Sequence, residues 1–298
     1  MRVLIAYDSS PGAEEALVLA AAIRWPAGST LRIVTVIEPL VLYMGPQMGG
    51  GTVLPPEIDA DITAYAQEHV SEAARRLPSD GRTVEGIVLH GRPATVLEEE
   101  AKRSGADLVI CGSRGHGEIS GLLLGSVSAE VVDHAPCPVL VARKASIGNV
   151  VFATDGSEAS AAAETLLSTW PILEGVPIQV VSVADVVEPW HTGIAPTMYA
   201  QVLEAHARDL AQAKAESTRI AEETVASLRT AGRDARAVVR TGDAAAEIIA
   251  ATEETGADLV VIGSRGRTGL ARIVLGSVAR NVLHGSTASV MVVQGPRP

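Results

Sequence analysis

"VICGSRGHGEISGLLLGSV", Val109 to Val127, and "VVIGSRGRTGLARIVLGSV", Val260 to Val278, are one glycine-studded segment written twice in a single chain. Extended back to the shared "GADLV", residues 105–127 and 256–278 agree at 13 of 23 positions with an offset of 151. "HGRPA" (90–94) meets "TGDAA" (241–245) at the same offset, whereas Asp8 meets Asp155 at an offset of 147. The second copy therefore carries about four extra residues in its middle. A period this long marks a duplicated domain and not a solenoid repeat. The boundary falls near the polar "ARKASIGN" (142–149), which predicts two domains, 1–145 and 146–298.

Within each copy, strand and helix patterns alternate. In the first, "RVLIAYD" is an apolar run of strand length, and Ser10-Pro11-Gly12 suits a helix start. "LRIVTVIE" is strand-like, residues 39–56 are too rich in Gly, Pro and Met for regular structure over most of their length, and "EIDADITAYAQEHVSEAARRL" reads as an amphipathic helix. A strand at "VEGIVLH", a helix from "PATVLEEEAKRSG", the strand "DLVICG", a helix "SVSAEVVDHA" and the strand "PVLVAR" complete the copy. Five strands alternating with four helices imply an α/β fold: two tandem open-sheet domains, each a parallel sheet with helices on both faces.

Composition agrees with that class. Apolar residues make up 47% and aromatics only 3%, so Ala, Val, Leu and Ile must fill the interior. No apolar run approaches the roughly 20 residues of a membrane helix, and "MRVLIAYDSS" reads as a first strand and not as a signal peptide. Two cysteines make no disulfide framework, which fits a reducing cytoplasm. A net charge of −11 disfavours nucleic acid or an anionic membrane as main partner. The expectation is a cytoplasmic protein.

In open α/β sheets, ligands sit beyond the carboxyl ends of the strands, where strand order reverses. Asp8 and Gly112 end the first and fourth strands, as do Asp155 and Gly263 in the second copy. If those strands are neighbours, aspartate and glycine segment face each other across the crevice. The glycines read Gly112-x2-Gly115-x9-Gly125-Ser126 and Gly263-x2-Gly266-x9-Gly276-Ser277. Glycine admits positive φ and lets an anion approach backbone N–H groups. Gly125-Ser126 and Gly276-Ser277 open a helix, whose amides and dipole attract phosphate. Arg114, His116, Arg265 and Arg267 add positive charge to the same loops. The pattern is neither GxxxxGK[ST] nor GxGxxG. The duller alternative is that the glycines only shape a strand-to-helix connection.

These residues make the chain resemble the universal stress protein family, over both halves nearly end to end. G-x2-G-x9-G-[ST] is that family's ATP-binding signature. The resemblance implies sheets in the order 3-2-1-4-5, so that strands one and four are neighbours. It also implies ATP as ligand, with Mg²⁺ as a companion that only Asp8 or Asp155 could help hold. By position, Asp8 and Asp155 fall close to the nucleoside, and Val36 and Val183 fall where a backbone reads the adenine. Gly112, Gly115, Gly125, Ser126 and Val127, with Gly263, Gly266, Gly276, Ser277 and Val278, fall where ribose and phosphates are lined. In the family the fifth strand commonly forms the dimer contact. The first copy ends "HAPCPVLVAR", while the second, "GSTASVMVVQ", lacks both prolines, so a homo-oligomer and pairing of the two halves both stay open.

Several residues have plainer readings. Asp8 and Asp155 could cap the first helix. His116 could be a solvated loop histidine. Cys111 suits apolar packing at a strand end, and Cys137, between Pro136 and Pro138, offers nothing catalytic. "EEE" at 98–100 reads as a solvated helix face. Residues 39–56 and 186–200, in matching places, read as flaps over the nucleotide, as disordered segments or as association surfaces. No Walker B acid or catalytic loop is visible, so binding is better supported than catalysis. The expected function is an ATP-binding regulator of stress response, with a regulatory protein partner and at most slow hydrolysis. The alternatives are an ATPase or adenylyl-transferring enzyme of a related α/β family, and a partner-binding module with empty pockets.

Overall fold

The computed structural model describes residues 1–39, 41–43, 51–53, 56–115, 124–185, 196–266 and 275–295. The chain divides into two compact units, Met1–Ser146 and Ile147–Pro298. Unit 1 runs β1 (Arg2–Ala6), α1 (Pro11–Ala22), β2 (Thr30–Ile37), β3 (Val41–Tyr43), β4 (Gly51–Val53), α2 (Pro56–Arg75), β5 (Thr83–His90), α3 (Pro93–Ser104), β6 (Leu108–Gly112), α4 (Ser126–His134) and β7 (Val139–Ala142). Its parallel sheet has the order β5-β2-β1-β6-β7. Counting only those five strands, that is 3-2-1-4-5. β1 and β6, the first and fourth of the five, are hydrogen-bonded neighbours through Val3↔Leu108, Leu4↔Val109 and Ile5↔Ile110.

Unit 2 repeats the plan with β8 (Val150–Ala153), α5 (Glu158–Thr169), β9 (Ile178–Ala184), α6 (Pro196–Thr230), β10 (Ala235–Thr241), α7 (Ala244–Thr255), β11 (Leu259–Gly263), α8 (Ser277–Gly285) and β12 (Ser289–Val293). A 3₁₀ turn at Pro171–Leu173 follows α5. The order is β10-β9-β8-β11-β12, again parallel. In each unit the first two helices cover one face of the sheet and the last two pair on the other. Right-handed crossovers dictate this when the chain winds one way from the first strand and then back past it.

Strands clothed on both faces must be apolar along their whole length, and every residue of β6, β7, β8, β11 and β12 is buried. The rare aromatics sit deepest: Trp25 and Phe152 are among the largest fully buried side chains. Trp25 Nε1 donates to Ala20 O at 2.7 Å, which satisfies its one polar atom. Among the described residues no helix is long and apolar enough to cross a membrane.

Two expectations are corrected and one is refined. Residues 39–56, expected to be irregular over most of their length, hold a small antiparallel hairpin, Val41↔Val53 to Tyr43↔Gly51; positions 40, 44–50 and 54–55 lie outside the described residues. Of 186–200, residues 186–195 lie outside them as well, but Pro196 opens α6, a helix of 35 residues spanning about 52 Å. Proline at a first helical position loses nothing, since that N–H has no helical partner.

The third concerns "EEE". Glu98 and Glu99 behave as a solvated face, but Glu100 is only 3% exposed. Its carboxylate takes Arg32 Nη1 from the sheet on one oxygen and Arg103 on the other, with Arg103 Nε at 2.9 Å. Arg32 also bonds Glu85 through Nε at 2.6 Å. A buried carboxylate persists only when paired on both oxygens. Glu100→Ala removes one of Arg32's two carboxylate partners but leaves Glu85, and denaturant unfolding should show a loss of about 1.5 kcal/mol. Glu99→Ala, on the exposed side, should stay within about 0.5 kcal/mol.

Candidate nucleotide-binding site

The site is built where β1 hands over to α1. Backbone pairing continues one residue past β1, Tyr7 N donating to Val34 O at 2.9 Å, and then the chain turns. Asp8 Oδ1 accepts from Ser10 N at 3.0 Å, and Ser9 between them sits at φ 61°. Ser10 is the N-cap: its Oγ accepts from Ala13 N at 3.2 Å and donates to Arg114 O at 3.2 Å, tying α1 to the glycine segment. Unit 2 repeats every contact. Asp155 Oδ1 accepts from Ser157 N at 3.0 Å across Gly156 at φ +73°. Ser157 caps α5 from Ser160 N at 3.3 Å and donates to Arg265 O at 3.1 Å. The aspartates therefore do not cap the helices. They shape the turn, and the serine two residues on does the capping, because only there does a short side chain reach the N3 amide.

The signature glycines are not used for positive φ: none of the six adopts it. Each pair answers to a different contact. A Cβ on Gly112 would lie 2.2 Å from the carbonyl carbon of Gly12, and one on Gly12 would lie 2.2 Å from Arg114 O. The start of α1 thus rests directly on the end of β6, backbone on backbone. Gly263 meets Ala159 and Ser160 in the same way, at 2.8 Å. Gly115 and Gly266 face the aspartates, with their Cβ positions 3.0 and 2.8 Å from Asp8 Oδ2 and Asp155 Oδ2. Gly125 and Gly276 differ again. Among the described residues a Cβ there meets nothing nearer than 3.5 Å, and φ is −72° and −69°. No described residue requires glycine at these two positions. Each is the N-cap of α4 or α8, and neither helix has a side-chain cap. Gly125 N and Gly276 N donate back to Ser113 O and Ser264 O, both at 2.7 Å, aiming the following amides into the crevice.

In unit 2 these elements surround a cavity of about 680 Å³. Asp155, Val183, Gly263, Arg265, Gly266, Gly276, Ser277 and Val278 all line it. In unit 1, Val36 sits half-buried near the end of β2, in register with Leu89. Asp8, Arg114, Gly115, Ser126 and Val127 are exposed around the carboxyl ends of β1 and β6. His116 and Arg267 lie outside the described residues. Sequence reading missed Asp185, which follows β9, Ser264 inside the glycine segment, and Ala213, Glu216 and Ser217 on α6. The spacing 213, 216, 217 is one helix face, but nothing in the sequence says that this face turns to the crevice.

A family model for the universal stress proteins matches the chain twice, over residues 1–143 and 146–294. The chain belongs to the universal stress protein family. It is 28% identical to a universal stress protein of Mycolicibacterium smegmatis, over 98% of this chain and 96% of the relative. A shorter relative, named as a universal stress protein in the QAH/OAS sulfhydrylase 3′ region of Thermus aquaticus, is 33% identical over 47% of this chain and 97% of its own length. The fold resembles the crystal structure of a universal stress protein from Archaeoglobus fulgidus, with a TM-score of 0.66 and 18% identity over 98% of both chains.

Two further features distinguish this universal stress protein's site. Cys111, at the end of β6, is buried, and burial pushes its thiol up to about 12. It is a packing residue without thiolate character at neutral pH. The second feature is a difference between the units. Tyr7 is buried, and its hydroxyl donates to Glu14 Oε1 at 2.5 Å, while Glu14 Oε2 pairs with Arg76 at 2.8 Å. Thr154 takes that position in unit 2. There a second chamber of about 360 Å³ opens between α5 and α6, adjoining the main cavity through Thr154 and Ser160.

Proposed function

We propose that each unit binds one ATP and that the protein is a nucleotide-dependent regulator of stress response, with hydrolysis at most slow. The observation that carries this reading is the pair Gly125 and Gly276. No described residue crowds a side chain at either, yet both leave a helix N-terminus without a side-chain cap, and in unit 2 that terminus lines the same cavity as Asp155. An uncapped N-terminus at a crevice is a ready anion site. Triphosphate oxygens accept from the amides of residues 126–128 in unit 1 and 277–279 in unit 2, with Arg114 and Arg265 beside them. The nucleoside then lies toward Asp8 and Val36, or Asp155 and Val183. A cavity of about 680 Å³ lies in the size range of small-molecule sites.

Among the described residues no group of three or more His, Cys, Asp or Glu gathers to hold a metal. Mg²⁺ would thus arrive with the triphosphate and take at most the carboxylate of Asp8 or Asp155. Calorimetry should give two ATP per chain, and saturating ATP at 100 times Kd should add about 2.7 kcal/mol of stability to each unit. Phosphate release should stay below about 1 s⁻¹. An unmoved melting temperature with no heat of binding would overturn the reading.

A further inference from the structure

Among the polar side chains that line the unit 2 cavity, Ser217 on α6 makes no hydrogen bond to a described residue. Ser217 lies in the middle of α6 and lines the cavity, and it is 6% exposed. Its hydroxyl has no hydrogen-bond partner among the described residues. A helical serine usually bonds the carbonyl four residues back, as Ser71, Ser104 and Ser168 do here at 2.6 to 2.8 Å. Ser217 does not. The hydroxyl oxygen is not one of the described side-chain atoms shut away from solvent without a partner, so it opens into the cavity, and an alanine would suit the helix better at that position. The neighbouring Glu216 is engaged, holding Arg219 with both carboxylate oxygens at 2.8 and 3.0 Å.

We infer that the Ser217 hydroxyl is a ligand-binding group on the nucleoside side of the unit 2 site, and that it makes this site tighter than that of unit 1. The side follows from packing. α6 covers β9 and β10, so Ser217 approaches the crevice beside Val183 and Asp185, away from the α8 amides and Gly266 that suit phosphate. The inequality follows from the repeat. At the offset of 151 that relates Leu77 to Leu228, Gly81 to Gly232 and Arg82 to Arg233, Ser217 corresponds to Ala66. Alanine offers no hydrogen bond. The inference rests on the nucleotide reading above and deepens it, by naming the group that distinguishes the two sites.

The test uses the full chain with the unit 1 site removed by Gly125→Asp, so that only unit 2 titrates. AMP, ADP and ATP are measured by calorimetry against that chain with and without Ser217→Ala. Ser217→Ala should raise Kd roughly fivefold to tenfold, by the same factor for all three nucleotides, because the lost bond is to the part they share. The ligand-free variant should melt at the same temperature or higher, which a merely structural serine would not do. A Kd within twofold of the parent for all three overturns the inference. So does a penalty that grows with the number of phosphates, which would put the hydroxyl at the other end of the ligand. If the parent chain binds no nucleotide, the nucleotide reading itself fails; if it binds and Ser217→Ala changes nothing, only the present inference fails.

Discussion

Replacing Gly125 and Gly276 together by aspartate is expected to abolish ATP binding while leaving the protein as stable as before, or slightly more so. Aspartate is a better N-cap than glycine, by a few tenths of a kcal/mol per helix, and a carboxylate at a helix N-terminus gains from the dipole. Among the described residues neither position has a backbone close enough to resist a Cβ. The new carboxylate, however, takes the amides that the phosphates need and sets a negative charge in their place. A loss of at least about 100-fold in each site follows, equivalent to about 2.7 kcal/mol. Single replacements should halve the stoichiometry and leave the other site intact. Isothermal titration decides the affinity, and thermal melting decides the stability. Binding that survives in the double variant would show that the helix ends do not hold phosphate.

The second large effect concerns the fold. Gly112→Ala should destabilise unit 1 by about 3 kcal/mol or more, at the upper end of what overpacking costs. Its Cβ would intrude 2.2 Å from the backbone of Gly12, where no side chain can swing aside, so α1 must lift from β6. Gly12→Ala should do the same from the opposite side, against Arg114 O. Gly263→Ala, with contacts at 2.8 Å, should cost less. Denaturant unfolding of the three variants gives the order. Equal losses at 112 and 263 would contradict the packing account.

These two results also separate what could be read in the sequence from what could not. The α/β class and the paired architecture followed from a long internal repeat with alternating strand and helix patterns, whereas the strand order came only with the resemblance to the universal stress proteins. The glycine positions were legible as special, but not the reasons for them. Spacing cannot distinguish a glycine pressed by a helix, like Gly112, from one that keeps amides open, like Gly125. Positive φ, the usual reason for glycine, applies to neither. The capping role went to Ser10 and Ser157 and not to the aspartates, a difference of two residues within one turn. Glu100 was hidden among neighbours of its own kind, since a run of three glutamates gives no sign that the third turns inward. Ser217 stayed invisible because the rotation of α6 about its axis is fixed by contacts with β9 and β10, which are far away in sequence.

Tyr7 and Thr154 carry one last implication. The halves share a scaffold, yet they are not interchangeable parts. A protein assembled from two copies of the first half would bring the Tyr7 phenol to where the Thr154 chamber opens, and one assembled from two copies of the second would lose the Glu14–Arg76 brace along with that phenol. Strand order is what the twins hold in common, and the space between the first two helices of each half is one place where they have gone separate ways.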